Sequence, residues 1–136
     1  MILVDTSVLI DYLKGQENKQ TLLFDSVIES GIEYGINFYI FLEIMQGSKN
    51  QKEYETLQKY LTSLTIYCPP NEISFFEKTA LLNMRCRKKG ITIRSTIDLI
   101  IAQTAMDYSL FLLHRDTDYD RIAEIDPKLK IWKGTN

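Results

Sequence analysis

Residues 1–15 read MILVDTSVLIDYLKG, and residues 110–118 read LFLLHRDTD. Each begins with a short, unbroken apolar run: Ile2-Leu3-Val4 in one, Leu110 to Leu113 in the other. A run with no polar alternation has no solvent face, so it predicts a strand buried on both sides. Both runs then meet a carboxylate, Asp5 at once and Asp116 after His114-Arg115. A helix follows the first, Thr6 to Lys14, closed by Gly15 and capped by Asp5 or Thr6. Buried strands alternating with helices predict an α/β fold with a mainly parallel sheet, because parallel strands need crossovers.

The rest of the chain fits that plan. Helices are predicted at about residues 18–30, ended by Gly31, and at Phe38 to Gln46, stopped by Gly47. Between them, Tyr34 to Asn37 is a weak strand signal. Asn50 to Leu64 is amphipathic, with Tyr54, Leu57, Leu61 and Leu64 on one face. Thr65 to Cys68 is a short β-rich run halted by Pro69-Pro70. Glu72 to Lys88 reads as a helix with Ile73, Phe76, Ala80 and Met84 on its apolar side, ended by Gly90. Thr96 to Tyr108 is apolar nearly all round and so predicts a buried helix. Thr117 to Glu124 makes a short helix and Lys130 to Trp132 a last strand. With no linker, repeat or low-complexity tract, residues 1–136 read as a single domain.

Hydrophobic residues make up 45% and charged residues 25%, the balance of a soluble globular protein. A net charge of −2 excludes binding through a globally basic surface; nucleic acid would need a local basic patch. Cys68 and Cys86 are the only cysteines and form no CxxC or Cys/His cluster, which argues against zinc and fits a reducing compartment. The N-terminus lacks a basic n-region, and no apolar run has the length of a membrane span. The cytoplasm is the expected location.

Acidic residues carry the functional signal. Ligands of parallel sheets gather beyond the carboxyl ends of the strands, which is where Asp5 and Asp116 fall. Two more acids sit in apolar company, Glu43 in FYIFLEIM and Asp98 in TIDLIIA. Each alone has a plainer reading: Asp5 as an N-cap, Asp98 as a favourable charge at a helix start, Glu43 on a helix surface, Asp116, Asp118 and Asp120 in a turn. Their joint placement points elsewhere. Converging carboxylates in apolar surroundings are unfavourable unless a divalent cation compensates them. An all-oxygen set suits Mg²⁺ or Mn²⁺, which can activate water and clamp a phosphate.

In order along the chain, MILVDTSVLID, FYIFLEIMQG, TIDLIIAQTAMDYS and LFLLHRDTDYDRI resemble the four motifs of PIN domains, especially VapC-like toxins of type II toxin–antitoxin systems. The resemblance covers nearly the whole chain. It implies a three-layer α/β/α fold and an Mg²⁺- or Mn²⁺-dependent endoribonuclease. It casts Asp5, Asp98 and Asp116 as metal ligands, Glu43 as a further catalytic acid, and Thr6, Ser7 and Asp118 as supports. Where the family usually carries Thr, Ser or Asn, this chain has His114, which falls at a position that often supports the metal site. Homodimerisation and inhibition by a small DNA-binding antitoxin are also implied, and Tyr39, Phe41, Tyr54 and Tyr60 are candidates for the strip it would cover.

Hydrolysis by water would leave 5′-phosphate and 3′-hydroxyl ends. The route through the 2′-hydroxyl commonly uses two histidines, and this chain has one. Arg85, Arg87, Lys88, Lys89 and Arg94 form a basic cluster just before Asp98, either an RNA-docking patch or a solvated helix terminus. Lys128, Lys130 and Lys133 are a second, thinner cluster. Among rival Mg²⁺ sites, a receiver domain needs an adjacent acidic pair at its first strand end, and a haloacid-dehalogenase-like phosphatase needs Asp-x-Asp, where this chain has Ser7. The alternative outside catalysis is a PIN fold used only to bind nucleic acid or as a scaffold; the full acid set weighs against it.

Overall fold

In the computed structural model, which describes residues 1–68 and 72–135, five parallel strands form one sheet. They are β1 (Ile2–Val4), β2 (Tyr34–Ile36), β3 (Thr65–Ile66), β4 (Phe111–Leu113) and β5 (Lys130–Ile131), in the order β3-β2-β1-β4-β5. The central strand is the first apolar run of the chain. Ile2, Leu3 and Val4 are fully buried, paired with β2 on one side and β4 on the other. The Asp5 N–H donates to the Leu113 carbonyl at 2.9 Å, so the pairing with β4 continues to the first carboxylate.

Seven helices fill the connections among the described residues: α1 (Thr6–Leu13), α2 (Lys19–Glu29), α3 (Phe38–Met45), α4 (Gln51–Thr62), α5 (Ile73–Lys88), α6 (Thr96–Asp107) and α7 (Thr117–Ile125). They fall into two packed groups. α1 lies against α2 and α3, and α3 against α4; α5, α6 and α7 pack on one another, and α3 and α6 meet between the groups. Right-handed crossovers moving outward from β1 in opposite directions put the groups on opposite faces, giving the three-layer α/β/α architecture. Short polar side chains start the helices. Asn18 caps α2 with Thr21 in a reciprocal box, Asn37 accepts from Ile40 N–H at 2.9 Å to begin α3, and Asn50 caps α4.

The strand order has one functional consequence. The chain leaves β1 toward β2 and β3, then returns past it to β4 and β5. The reversal lies between β1 and β4, the switch point at whose carboxyl edge parallel sheets place their ligand crevice. α6 precedes β4 and runs back along the sheet, so its first turn returns to this same edge. The expected burial of α6 is met, with Leu99 through Ala105 all buried.

The predicted apolar side of α5 is corrected. Ile73, Phe76 and Met84 are 78%, 40% and 44% exposed, and Ala80 is exposed as well. Phe75, Thr79, Leu82 and Cys86 face inward instead. The doublets Phe75-Phe76 and Leu81-Leu82 give this helix two competing apolar stripes, and helical periodicity alone does not choose between them. The predicted break at Pro69-Pro70 lies outside the described residues.

Gly35 sits where β2 and β3 approach closely. A Cβ on it would run into the Thr65 carbonyl oxygen and lie 2.8 Å from a Tyr67 ring carbon. Backbone cannot yield as a flexible side chain does. Gly35→Ala is expected to destabilise the fold by about 1–3 kcal/mol, seen as a lower urea midpoint with an unchanged slope.

Candidate active site at the carboxyl edge of the sheet

Each predicted acid reaches the crevice from a different element. Asp5 ends β1 and begins α1; its carboxylate accepts from Ser7 Oγ at 2.8 Å and, more weakly, from Ser7 N–H at 3.4 Å. The N-cap reading is therefore met, and the same carboxylate lies near enough to Asp98 to push its pKa up. Asp116 does the same after β4: its Oδ1 accepts from Asp118 N–H at 2.9 Å and caps α7. Glu43 projects from the second turn of α3, and Thr6 Oγ1 donates to its Oε1 at 2.7 Å. Asp98 stands in the first turn of α6.

Asp98 feels all of the others. Burial comes first in lifting its carboxyl, with Asp5 next and Asp116 and Glu43 adding smaller pushes; a Tyr119 hydrogen bond opposes them. The result is a pKa pushed up to about 6. This is the behaviour of like charges sharing a partly desolvated site. The tightest convergence is of Asp98, Asp116 and Asp118, which each offer an oxygen within 4.8 Å of the other two. Asp118, expected only as a support, is 2% exposed and belongs to this inner group. Arg121 approaches it at 3.8 Å.

His114 is buried; its Nδ1 is hydrogen-bonded, whereas its Nε2 lies near Asp120 without a hydrogen bond among the described residues. Its Nδ1 accepts the Asp116 N–H at 3.0 Å, which leaves the imidazole proton on Nε2, facing Asp120 at 3.2 Å. Burial pulls its pKa down against Asp120, Asp5 and Asp116. Two further groups were not expected. Tyr119 is fully buried and donates to Asp5 at 2.9 Å and Asp98 at 3.2 Å; burial, then those two charges, push its pKa well up and keep it a donor. Asp11 pairs with Arg115 and accepts from Asn18 Nδ2 at 3.0 Å, tying α1 to the loop that carries Asp116. The signal for Asp11 was present, since it shares the buried side of α1 with Val8. Nothing local marks the Tyr119 hydroxyl.

The basic cluster divides. Arg85 pairs with Asp126 at 3.1 Å across α5 and α7. Arg87, Lys88, Lys89 and Arg94 are exposed and in no ion pair among the described residues. The aromatic strip divides as well. Phe41 and Tyr60 pack against the core, whereas Tyr54 is 39% exposed. The open apolar surface on this side lies in a groove of about 570 Å³, lined by Ile10, Leu13, Ile44 and Leu57 and, among polar groups, by Glu43. No helix among the described residues is long and apolar enough to cross a membrane.

A five-stranded parallel sheet with carboxylates gathered at its switch point defines a class, the α/β proteins that hold a charged ligand or cation at that edge. Comparison narrows it. The family model for the PIN domain matches residues 2–125, and the chain belongs to that family. It is 28% identical to the VapC ribonuclease Mb1587 of Mycobacterium bovis over 126 residues, 92% of this chain and 93% of the relative. Among solved structures, VapBC2 from Rickettsia felis bound to a promoter DNA fragment superposes with a TM-score of 0.74 at 19% identity, covering 97% of this chain and 98% of that one. FitAcB from Neisseria gonorrhoeae gives 0.70 at 23% identity, covering 97% and 96%. At these identities the structural likenesses speak to the fold.

The raised Asp98 pKa has a stability consequence. Between about pH 4 and about pH 6 the folded metal-free protein binds a proton that the unfolded chain has released. Stability from this group is full below that window and is lost as pH rises through it. Asp98→Asn should therefore be more stable than the parent at pH 7 without metal, on the order of 1–2 kcal/mol for a partly exposed carboxyl. The difference should vanish toward pH 4, as read from urea unfolding at both pH values.

Proposed function

We propose that this chain is a divalent-metal-dependent endoribonuclease and the toxin of a type II toxin–antitoxin pair. The observation that carries this reading is the convergence of Asp5, Glu43, Asp98 and Asp116, with Asp118, from separate elements at the β1–β4 crevice. The similarity to a VapC ribonuclease over most of both chains supplies the reaction class. The donor set fits Mg²⁺ or Mn²⁺: it is all oxygen, it carries excess negative charge, and no soft ligand lies within it.

In this reading Asp5, Asp98 and Asp116 hold the cation, and Asp118 is placed to join them. A bound cation supplies the positive charge that makes water nucleophilic at neutral pH and steadies the charge growing on the phosphate. Glu43 has Oε1 engaged by Thr6, and its other oxygen is available to accept a proton from the attacking water. Thr6 thereby fixes the direction in which Glu43 acts, and Ser7 does the same for Asp5. His114 holds the Asp116 backbone rather than exchanging protons with substrate. The products expected are 5′-phosphate and 3′-hydroxyl ends.

Exposed Arg87, Lys88, Lys89 and Arg94 lie on the end of α5 and the loop leading into the turn that bears Asp98. They are the proposed phosphate-docking surface. Replacing Arg87, Lys88 and Lys89 with Ser should weaken RNA binding at every sequence. It should also flatten the dependence of log affinity on log salt by about 0.7 for each phosphate no longer neutralised.

The groove supports a proposed partner. Solved relatives include a VapBC2 complex on promoter DNA, and an antitoxin tail is proposed to occupy the groove beside Glu43, from which it could cover the acids. Homodimerisation and action in the cytoplasm, as one nuclease domain, complete the reading.

The test is incubation with total cellular RNA in Mg²⁺ or Mn²⁺, beside an EDTA control and Asp98→Asn, with the ends mapped. Discrete metal-dependent cuts bearing 5′-phosphates, reduced at least about 100-fold in the variant, are expected. Cutting that survives both controls would sink the acidic-site mechanism. RNA binding without any cutting would favour the non-catalytic use of the fold.

A further inference from the structure

Tyr119 is the one large aromatic side chain among the described residues whose polar atom enters the acidic pocket itself. It is fully buried, and its ring packs against His114 with centroids 4.9 Å apart and planes tilted by 51°. Its hydroxyl stands between the first and third motifs, 2.9 Å from Asp5 Oδ1 and 3.2 Å from Asp98 Oδ1. Core packing accounts for the ring. It does not account for a buried phenol aimed at two carboxylates, where phenylalanine would fill the same space.

A phenol has one proton to donate. Here it is shared unevenly between two anionic oxygens, with the shorter arm to Asp5. The contact draws together carboxylates that would otherwise push apart, and it occupies one oxygen of each. The second oxygen of Asp98 is left for a ligand, and Asp5 Oδ2 is already oriented by Ser7. The ring is rigid and the backbone behind it is fixed: Tyr119 N–H donates to the Asp116 carbonyl at 3.2 Å in the turn that Asp116 caps. One residue is thus linked to Asp5 and Asp98 through its side-chain hydroxyl and to Asp116 through its backbone N–H.

We infer that Tyr119 is a positioning residue, whose hydroxyl sets the spacing and orientation of Asp5 and Asp98 for a divalent cation. This rests on the metal-site reading above. Groups that orient metal ligands from behind typically change metal affinity or activity about 10–100-fold when removed.

The experiment measures Mn²⁺ binding by calorimetry for the parent, Tyr119→Phe, Asp98→Asn, and a protein with 4-aminophenylalanine at position 119, alongside circular dichroism. Tyr119→Phe keeps the ring on His114 and removes only the donor. It should fold, bind Mn²⁺ about 10–100-fold more weakly, and regain RNA cleavage as Mn²⁺ is raised, with KM for RNA unchanged at saturating metal. The amino analogue restores a donor and should recover most of the affinity. Parent-like Mn²⁺ affinity in Tyr119→Phe would overturn the inference while leaving the metal site intact, provided Asp98→Asn loses binding. Failure of Tyr119→Phe to fold would also overturn it, because the ring alone must then be insufficient. If the parent binds no Mn²⁺, or Asp98→Asn binds as well as the parent, the metal-site reading fails and takes this inference with it.

Discussion

The repulsion among carboxylates at the β1–β4 crevice is the constraint around which this molecule is arranged. Asp5, Glu43, Asp98, Asp116 and Asp118 would separate if free to do so. Their backbones are held instead by a buried central strand, by helix caps and by a buried helix. Around them stand local hydrogen-bond partners: Ser7 on Asp5, Thr6 on Glu43, Tyr119 on Asp5 and Asp98, and His114 accepting from the Asp116 backbone. The donors soften the repulsion without cancelling it: burial first, then the neighbouring Asp5 charge, still raise the Asp98 carboxyl above its ordinary value. Residual negative charge in an oriented, all-oxygen site is what a divalent cation recognises.

These partners come from the same short segments as the acids. Thr6 and Ser7 directly follow Asp5, and His114 and Tyr119 bracket Asp116. Each strand end thus delivers an acid together with part of its support. Capping and the aiming of these carboxylates are also the same local geometry. Asp5 and Asp116 leave the strand in extended conformation and accept a backbone N–H two residues on, which starts a helix and turns the carboxylate into the crevice. The positive ends of α1 and α7 then favour the charge they carry.

The two sides of the crevice are tied at a distance as well. The Asp11–Arg115 pair joins α1 to the β4–α7 loop, and Asn37 at the end of β2 donates to Thr104 of α6 at 3.3 Å. Such links make the spacing of the acids a property of the packed core rather than of mobile loops, which is the preorganisation that the proposed reaction would need. The groove between α1, α3 and α4 reaches the same Glu43, so an occupant there would lie beside the chemistry.

Much of this was legible locally. Ile2-Leu3-Val4 and Phe111-Leu112-Leu113 had no polar face to offer and became strands, the first wholly buried and the second buried at Leu112 and Leu113 with Phe111 exposed, and the acids after them fell at the carboxyl edge. Glu43 and Asp98 stood out because an acid in an apolar helix needs a partner. The inward face of α5 was not legible, because Phe75-Phe76 and Leu81-Leu82 serve either side equally and only the docking of α6 and α7 chooses. The role of Tyr119 was hidden too, since its hydroxyl partners lie on β1 and α6, far from it in the chain. The sequence by itself determined which residues carry charge and where each strand and helix begins, because those depend on near neighbours. That β1 and β4 lie side by side, bringing Asp5, Asp98, Asp116 and the Tyr119 hydroxyl to one point, was decided by the tertiary structure alone, because strand order is a property of the packed sheet and of no single segment.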